Sequence, residues 1–379
     1  MYSRINSNNI FSIIIPVHNE AQSIGPLIDR ILQCKKDISE QICLSGLEVI
    51  IINDGSTDNT LEIITNYREV KLINLIKHCG YGAALKTGFK NARGNILAFL
   101  DGDNTYPPEE LASLCKALFE HNAHIVTGSR LSNRNINMPW SRFIGNIIFT
   151  AILNWLSNSR ITDATTGMRV FRADILPQLY PLPDSLNFSI VMTAKSLFQK
   201  LKILETPIYY HKRAGYSKLN IVKDGFMFLQ SIFYIASLYA PIKILNLAGT
   251  LFILTGIMLS IVPIKIYLQA RIVPDYYIYR FLFILLMFTG GLNLIIFGLL
   301  NKLITIRFNG RFISYPLINI LAILLFITGI CINHQTIYQY ITTGQLNVPW
   351  IRPLTGGILF LAGLQLIAFS FIITKSPQK

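Results

Sequence analysis

Charged side chains are scarce in this chain. Asp, Glu, Lys and Arg make up 14% of its 379 residues, whereas hydrophobic residues make up 51%. An ordinary soluble protein has about 25% charged residues, so this composition argues against that class. The scarcity is uneven, because the sequence up to about residue 220 is typical of a globular domain and long apolar runs follow it. We therefore predict two domains, the second embedded in a membrane.

Acidic residues are few as well: 20 Asp and Glu stand against 34 Lys and Arg, for a net charge of +14. The sequence has no Lys/Arg-rich block and no basic helix with interleaved aromatic residues, which disfavours nucleic acid as a partner. A basic balance of this kind also suits anionic lipid headgroups or phosphorylated substrates, and we favour those partners.

Cysteines are few and irregularly spaced. The five are odd in number and form no C-x-x-C pair, so neither a zinc site nor a disulfide framework is indicated. We expect the four that precede residue 220 to be reduced thiols in a cytoplasmic domain. We expect no signal peptide, because the first apolar run, Ile10–Val17, is short and leads directly into polar residues.

Short β-branched or apolar runs alternate with helical patterns in the first half of the chain. This alternation predicts a parallel sheet in a Rossmann-like α/β domain. The predicted strands are Ser12–Pro16, Leu47–Ile52, Val70–Ile76, Ile96–Leu100 and His124–Thr127.

Acids follow three of these strands. Glu20 and Asp54 follow the first two, and Asp101 and Asp103 follow the fourth in the sequence LDGDNTYPP. Open α/β sheets bind ligands at the carboxyl ends of their strands. A pair of carboxylates there suits Mg²⁺ or Mn²⁺ held jointly with a diphosphate. The alternative is turn chemistry, since Asp, Gly and Asn are common in turns.

Five motifs occur in a fixed order: IPVHNE, NDGSTDNT, GYGAALKTG, AFLDGDNTYPPE and TGSR. Together they resemble a glycosyltransferase family 2 domain of GT-A fold over roughly residues 10–220. The resemblance implies that Pro16, Glu20 and Asp54 hold the nucleotide sugar. It also places Asp101 near the ribose and the metal, and Asp103 on the metal, which would be Mg²⁺ or Mn²⁺.

Two positions depart from the family pattern. Thr105 stands where polyprenyl-phosphate members often have Gln as a further metal ligand, and His78 replaces the usual Asn before the Gly-x-Gly turn. The turn itself, Gly80–Gly82, lacks the spacing of a P-loop and is typical of a tight turn.

Two further segments carry the resemblance to the acceptor side. Residues 163–169, DATTGMR, resemble a family segment whose Arg169 suits bidentate phosphate recognition. Residues 213–219 match the R-x-G-x-S-K-L signature of polyprenyl-phosphate glycosyltransferases, whose basic residues close over the diphosphate and the lipid phosphate. We assign Asp103, Arg130 and Arg213 to catalysis and Lys218 to the nucleotide sugar. The lipid phosphate or diphosphate is assigned to Arg142, Arg169 and Ser217.

The apolar segments divide into interfacial and spanning helices. Trp140–Ser157 has a polar line that favours an interfacial helix, with a core helix as the alternative. Phe226–Ala240 is predicted to be a second interfacial helix, or else a fifth span. We predict domains at 1–220 and 241–379 joined by residues 221–240. Four spans are predicted at Ile242–Ile264, Phe281–Leu300, Leu317–Ile332 and Leu354–Ile373.

The resemblance to the GtrB-like branch implies an inverting transfer of hexose. The donor would be a UDP- or GDP-hexose and the acceptor undecaprenyl or dolichyl phosphate, giving a lipid-linked sugar for surface glycan or glycoprotein modification. A phosphate acceptor is largely ionised at neutral pH and needs no strong general base. We expect an integral membrane protein with its catalytic domain in the cytoplasm, where nucleotide sugars occur. A homo-oligomer is compatible with the sequence.

Three alternatives remain open. A processive polysaccharide synthase would carry Q-x-x-R-W, which none of the three tryptophans matches. A transferase acting on a glycolipid hydroxyl would need a general base. A non-catalytic subunit of a sugar-lipid translocation system would not need the acidic and basic site residues.

Overall fold

The computed structural model describes residues 9–42, 44–131, 138–213, 221–271, 274–307, 316–344 and 351–373. The chain forms two compact units, Met1–Ile235 and Ala236–Lys379. The division falls inside the segment 221–240 that we predicted to link the two domains.

A seven-stranded mixed sheet forms the centre of the first unit, in the order β3-β2-β1-β4-β6-β5-β7. All five predicted strands are present, and two more, β6 and β7, were missed. The strands are β1 (Ile10–Val17), β2 (Gly46–Asp54), β3 (Lys71–Leu75), β4 (Ile96–Phe99), β5 (Ile125–Ser129), β6 (Arg169–Arg172) and β7 (Ile203–Pro207).

The five predicted strands run in one direction, as the prediction of a parallel sheet requires, but the sheet is mixed because β6, which was not predicted, runs antiparallel to both β4 and β5. Its first residue, Arg169, pairs with Phe99, the last residue of β4. The chain therefore enters β6 at the edge where β4 ends, and it can only run back in the opposite direction. The loop that precedes β6 is thereby placed at the carboxyl ends of the parallel strands.

Helices cover both faces of the sheet. One face and the helices on it form an aliphatic core that includes Ile13, Leu27 and Leu114. On the other face Phe89, Phe99, Phe171 and Phe188 pack with ring centroids 5.4–6.3 Å apart. The helices of this unit are α1 (Ile24–Ile42), α2 (Thr60–Thr65), α3 (Tyr81–Asn91), α4 (Leu111–Glu120), α5 (Trp140–Ser157), α6 (Leu176–Leu179), α7 (Phe188–Phe198) and α8 (Ile221–Tyr239).

Helix α5 turns its polar line inward. Asn146 and Thr150 are buried, and the Asn146 amide donates to Asp163 Oδ1 at 2.8 Å. The apolar face points outward instead and exposes five large side chains. These are Trp140, Ile144, Ile147, Ile148 and Trp155. An outward apolar face of this size is unusual for a helix that faces water, and it agrees with the predicted interfacial position.

The described residues of the second unit include four long helices, α9 (Pro241–Ala270), α10 (Ile278–Arg307), α11 (Pro316–Thr343) and α12 (Ile351–Ile373). In the part of the chain that the structure describes, three helices are long and apolar enough to cross a membrane: Pro241–Ala270, Ile278–Leu299 and Ile320–Thr343. They overlap the first three predicted spans. Helix α12 covers the fourth, whose membrane crossing stays a prediction.

Small residues bring these helices close together. A Cβ on Gly249 of α9 would lie 2.6 Å from the Gly291 carbonyl oxygen of α10. Helix α11 also continues past the predicted end at Ile332 to Thr343, and its polar residues Asn333 and Thr336 are buried.

Candidate active site

A cleft of about 750 Å³ lies at the carboxyl edge of the sheet, within the first unit. Strands β1, β2 and β4 run parallel, so their carboxyl ends meet at this edge. The cleft brings together eight of the predicted site residues. These are Pro16, Glu20, Asp54, Asp101, Asp103, Arg130, Arg142 and Arg213.

Arg213 joins two acids from different strand ends. Its guanidinium pairs with Glu20 Oε1 through NH2, and its NH1 lies 3.2 Å from Asp103 Oδ2. These residues are 193 and 110 positions away in sequence, respectively, so only the fold brings them together. The Glu20 and Asp103 carboxylates together therefore stabilise a positive charge, that of Arg213, between them.

Asp103 is held by its own turn. It is 9% exposed, and its Oδ1 accepts hydrogen bonds from the Thr105 hydroxyl at 2.5 Å and the Thr105 amide at 3.2 Å. Thr105, which stands where family members often have a metal-binding Gln, therefore orients Asp103. The Oδ2 atom faces Arg213.

Asp101 lines the same cleft as Asp103. Its Oδ1 accepts a hydrogen bond from the Tyr81 hydroxyl at 2.7 Å. Burial, and after it the charge of Asp103, raises the pKa of Asp101 to about 7. A divalent cation beside this carboxylate would favour its ionised form, because opposite charges stabilise each other.

Asp54 contacts the turn that opens α3. Its Oδ1 accepts from the Cys79 amide at 2.7 Å and its Oδ2 from the Gly80 amide at 2.9 Å, with His78 Nδ1 also 2.9 Å from Oδ2. Gly80 has φ of 107°, a conformation that side-chain-bearing residues rarely adopt. Gly80 is the N-cap of α3, and Tyr81 and Gly82 are the first residues of the helix. Asp54 stabilises the turn directly, whereas its contact with a nucleotide stays a prediction.

His78, which departs from the family pattern, stacks on His18 with ring centroids 4.1 Å apart. His18 Nδ1 lies 2.8 Å from the Asp54 carbonyl oxygen. Both imidazoles line the cleft beside Asp54. The two histidines therefore line the part of the cleft that lies next to the ends of β1 and β2.

Arg130 is engaged by a buried acid. Its Nε and NH2 lie 2.7 and 2.8 Å from the two oxygens of Asp163, and NH2 also donates to Thr165 at 2.8 Å. Burial alone would raise the pKa of Asp163, but the charge of Arg130 and the hydrogen bonds from Arg130 and Asn146 together outweigh burial and lower that pKa. Arg130 thus ties the loop before β6 to the end of β5, so a positioning role accounts for its contacts. Its predicted catalytic role is not tested by them.

Arg169 lies inside the domain, which counts against its predicted contact with a lipid phosphate. It is 1% exposed, its NH2 donates to the Ser189 carbonyl oxygen at 2.9 Å, and burial lowers its pKa to about 10. The antiparallel entry of β6 points this side chain at α7 rather than into the cleft. Arg142, by contrast, lines the cleft. The predicted Ser217 and Lys218 lie outside the described residues.

The burial of Arg169 gives a stability prediction. Replacing Arg169 with Met removes donors from the carbonyl oxygens of Ala164, Thr166 and Ser189, and we expect the free energy of unfolding to fall by about 1–2 kcal/mol. Thermal unfolding of the full chain, followed by tryptophan fluorescence, measures this loss. Arg172→Met is the control, because Arg172 is exposed and pairs only with exposed Asp174. Equal stability of the two variants would contradict the prediction.

The residues present fit a metal shared with a substrate. Among the described residues, no group of three His, Cys, Asp or Glu is arranged to hold a metal ion. Mg²⁺, however, is commonly bound by one or two carboxylates together with substrate phosphates. Asp101 and Asp103 supply such a pair, and Arg213 already places a positive charge beside Asp103.

Sequence reasoning missed three residues of the site. Tyr81 binds Asp101, Tyr106 accepts a hydrogen bond from the Gly167 amide at 2.7 Å, and Asp163 binds Arg130. Tyr106 and Asp163 lie inside motifs that were noted for other residues. No pattern in the sequence indicates that Tyr81 reaches an acid 20 positions away.

Known glycosyltransferases are similar to this chain in sequence. Residues 12–179 match glycosyl transferase family 2. Low-salt glycan biosynthesis hexosyltransferase Agl6 of Haloferax volcanii is 28% identical over 256 residues, which are 67% of this chain and 57% of that protein. An undecaprenyl-phosphate 4-deoxy-4-formamido-L-arabinose transferase of Proteus mirabilis is 25% identical over 261 residues, 68% of this chain and 76% of that protein. A dolichyl-phosphate hexose transferase of Haloferax volcanii is 27% identical over 214 residues, 56% of this chain and 88% of that protein.

The fold is also found in solved structures. Glucosyl-3-phosphoglycerate synthase of Mycobacterium tuberculosis, crystallised with Mn²⁺, UDP and glucosyl-3-phosphoglycerate, superimposes with a TM-score of 0.51. The superposition covers 62% of this chain and 82% of that one at 16% identity. This likeness confirms the predicted α/β GT-A fold.

Proposed function

We propose that this chain, whose residues 12–179 match glycosyl transferase family 2, transfers a hexose from UDP- or GDP-hexose to a polyprenyl phosphate. Relatives with undecaprenyl-phosphate and dolichyl-phosphate in their names support the acceptor class. The observation that carries the proposal is the pairing of Arg213 with Glu20 and Asp103 in the cleft. This pairing supports a role for the first residue of the R-x-G-x-S-K-L segment in binding the donor diphosphate.

The proposed reaction inverts the sugar. An oxygen of the acceptor phosphate attacks the anomeric carbon from the side opposite the diphosphate, and the bond from that carbon to the diphosphate oxygen breaks. The electron pair leaves with the nucleoside diphosphate. Mg²⁺ or Mn²⁺ bound at Asp103 and Asp101 would neutralise charge on this leaving group. In this proposal Arg213 leaves the two carboxylates and binds the diphosphate, for which its planar guanidinium offers bidentate donors.

No general base is assigned. The second pKa of a phosphate monoester is about 6, so the attacking oxygen is already ionised at neutral pH. What the reaction needs from the protein is orientation and positive charge. Arg142, which lines the same cleft from α5, is the proposed contact for the acceptor phosphate.

The acceptor is a lipid, and α5 offers a surface that suits a membrane. Its outward face carries two exposed tryptophans, Trp140 and Trp155, of the kind found at membrane interfaces. We infer that α5 lies at the lipid surface and that the second unit is embedded in the membrane through α9–α12. The catalytic domain faces the cytoplasm in this proposal, because nucleotide sugars occur there.

A panel of nucleotide sugars, tested on membranes that contain the protein and a labelled polyprenyl phosphate, examines the proposal. We expect one UDP- or GDP-hexose to give a labelled product whose sugar is released by mild acid, as a sugar phosphodiester is. An acid-stable glycoside would instead identify a lipid hydroxyl as the acceptor. The absence of any product and of any nucleotide-sugar binding with Mn²⁺ or Mg²⁺ would favour a non-catalytic subunit.

A further inference from the structure

Tyr81 lies between two parts of the cleft that are distant in sequence. It is the first residue of α3 and directly follows Gly80, whose amide binds Asp54. Its own hydroxyl donates to Asp101 Oδ1 at 2.7 Å. Two consecutive residues at the start of α3 therefore contact Asp54, at the end of β2, and Asp101, after β4.

The Asp101 carboxylate has contacts on both oxygens. Oδ1 accepts from Tyr81, and Oδ2 lies against Gly167, where an added Cβ would be 2.2 Å from it. Gly167 is itself held by the hydrogen bond from its amide to Tyr106. With the Gly167 backbone behind one oxygen and a hydroxyl on the other, the plane of the carboxylate is set. If Tyr81 lost its hydroxyl, the packing of Asp101 against Gly167 would be the one of these two contacts that remains.

The Tyr81 ring is supported from behind. The ring packs edge-on against Phe188 with centroids 6.4 Å apart, and the next residue, Ser189, lines the same cleft. Both residues begin α7, and the buried Arg169 donates to the Ser189 carbonyl oxygen. Arg169 thus contacts the first turn of α7, which packs against Tyr81.

We propose that Tyr81 is a positioning residue that orients the Asp101 carboxylate toward the nucleotide and its metal. The inference rests on the proposed function, because it assumes that Asp101 contacts the bound nucleotide–metal complex. A hydrogen bond to a charged group is stronger than one between neutral groups, so its loss should be measurable. The hydroxyl acts through Asp101, which gives the proposal a specific test.

The test is a double-mutant cycle on nucleotide binding. The full chain is purified with lipid, and the affinities for UDP and for GDP are measured by calorimetry in Mn²⁺. For the nucleotide that binds, we expect Tyr81→Phe to weaken affinity about 10-fold. In an Asp101→Asn background the same substitution should change affinity less than about 2-fold, because the hydroxyl then has no carboxylate to orient.

Tyr67→Phe is the matched control. The Tyr67 hydroxyl donates to the Gly25 carbonyl oxygen at 3.4 Å. Neither of these two residues lines the cleft. The substitution should leave nucleotide affinity unchanged. Wild-type affinity in Tyr81→Phe, or an equal loss in both backgrounds, would overturn the positioning role alone. A wild-type chain that binds neither nucleotide would overturn the proposed function, and with it this inference.

Discussion

Asp103→Asn is expected to lower sugar transfer at least roughly 1000-fold, which corresponds to about 4 kcal/mol of transition-state stabilisation. Asn has nearly the same size as Asp and can still accept the hydrogen bonds from Thr105. What it lacks is the negative charge that the metal and Arg213 both require. The loss should therefore arise in the chemistry and not in the fold.

The measurement is the initial rate of lipid-linked sugar formation at saturating donor, together with Mn²⁺ binding in the presence of the nucleotide. Asp174→Asn is the control, because Asp174 is exposed on the far side of β6 in an ion pair with Arg172. It should keep the wild-type rate. An Asp103→Asn protein that works at the wild-type rate would refute the assignment of Asp103 to the metal.

The second large effect concerns Arg213, for which replacement by Gln should lower turnover roughly 100- to 1000-fold. Gln removes the charge that would stabilise the departing diphosphate, and it takes the Arg213 cation away from both Glu20 and Asp103. The variant should consequently bind a divalent cation in the absence of nucleotide more readily than the wild type does. Loss of turnover with gain of cation binding separates a catalytic role of Arg213 from a structural one.

Two variants sharpen this experiment. Lys212→Gln removes a neighbouring charge whose side chain is exposed, and it should retain the wild-type rate. Arg213→Lys should recover part of the turnover, since Lys keeps the charge but has no planar fork for a diphosphate. Equal rates for Arg213→Gln and Lys212→Gln would contradict the proposed role of Arg213.

The two arginines that the sequence analysis placed together show what a motif leaves open. Arg169 and Arg213 both lie in segments that resemble the acceptor side of the family, and both side chains suit a phosphate. The structure places Arg213 in the cleft on two carboxylates and Arg169 in the core on three carbonyl oxygens. Their difference arises from the direction of β6, which depends on strand pairing and not on the local sequence.

The same reason explains the inward polar face of α5. Its alternating pairs of apolar residues predict an amphipathic helix but do not indicate which face meets the domain. Asp163 and Arg130 form a buried polar cluster, and Asn146 and Thr150 turn toward it because buried polar groups need partners. The apolar face is left outside, where a membrane can cover it.

The sequence by itself determined the class of the fold, the acids at the strand ends and the apolar second unit. These features depend on local composition, on periodicity and on the rule that parallel strands share one carboxyl edge. The tertiary structure alone decided that β6 is antiparallel, that Tyr81 reaches Asp101, and which arginine lines the cleft. Each of these depends on contacts between residues far apart in the chain, and a local pattern carries no information about which distant residue a side chain will meet.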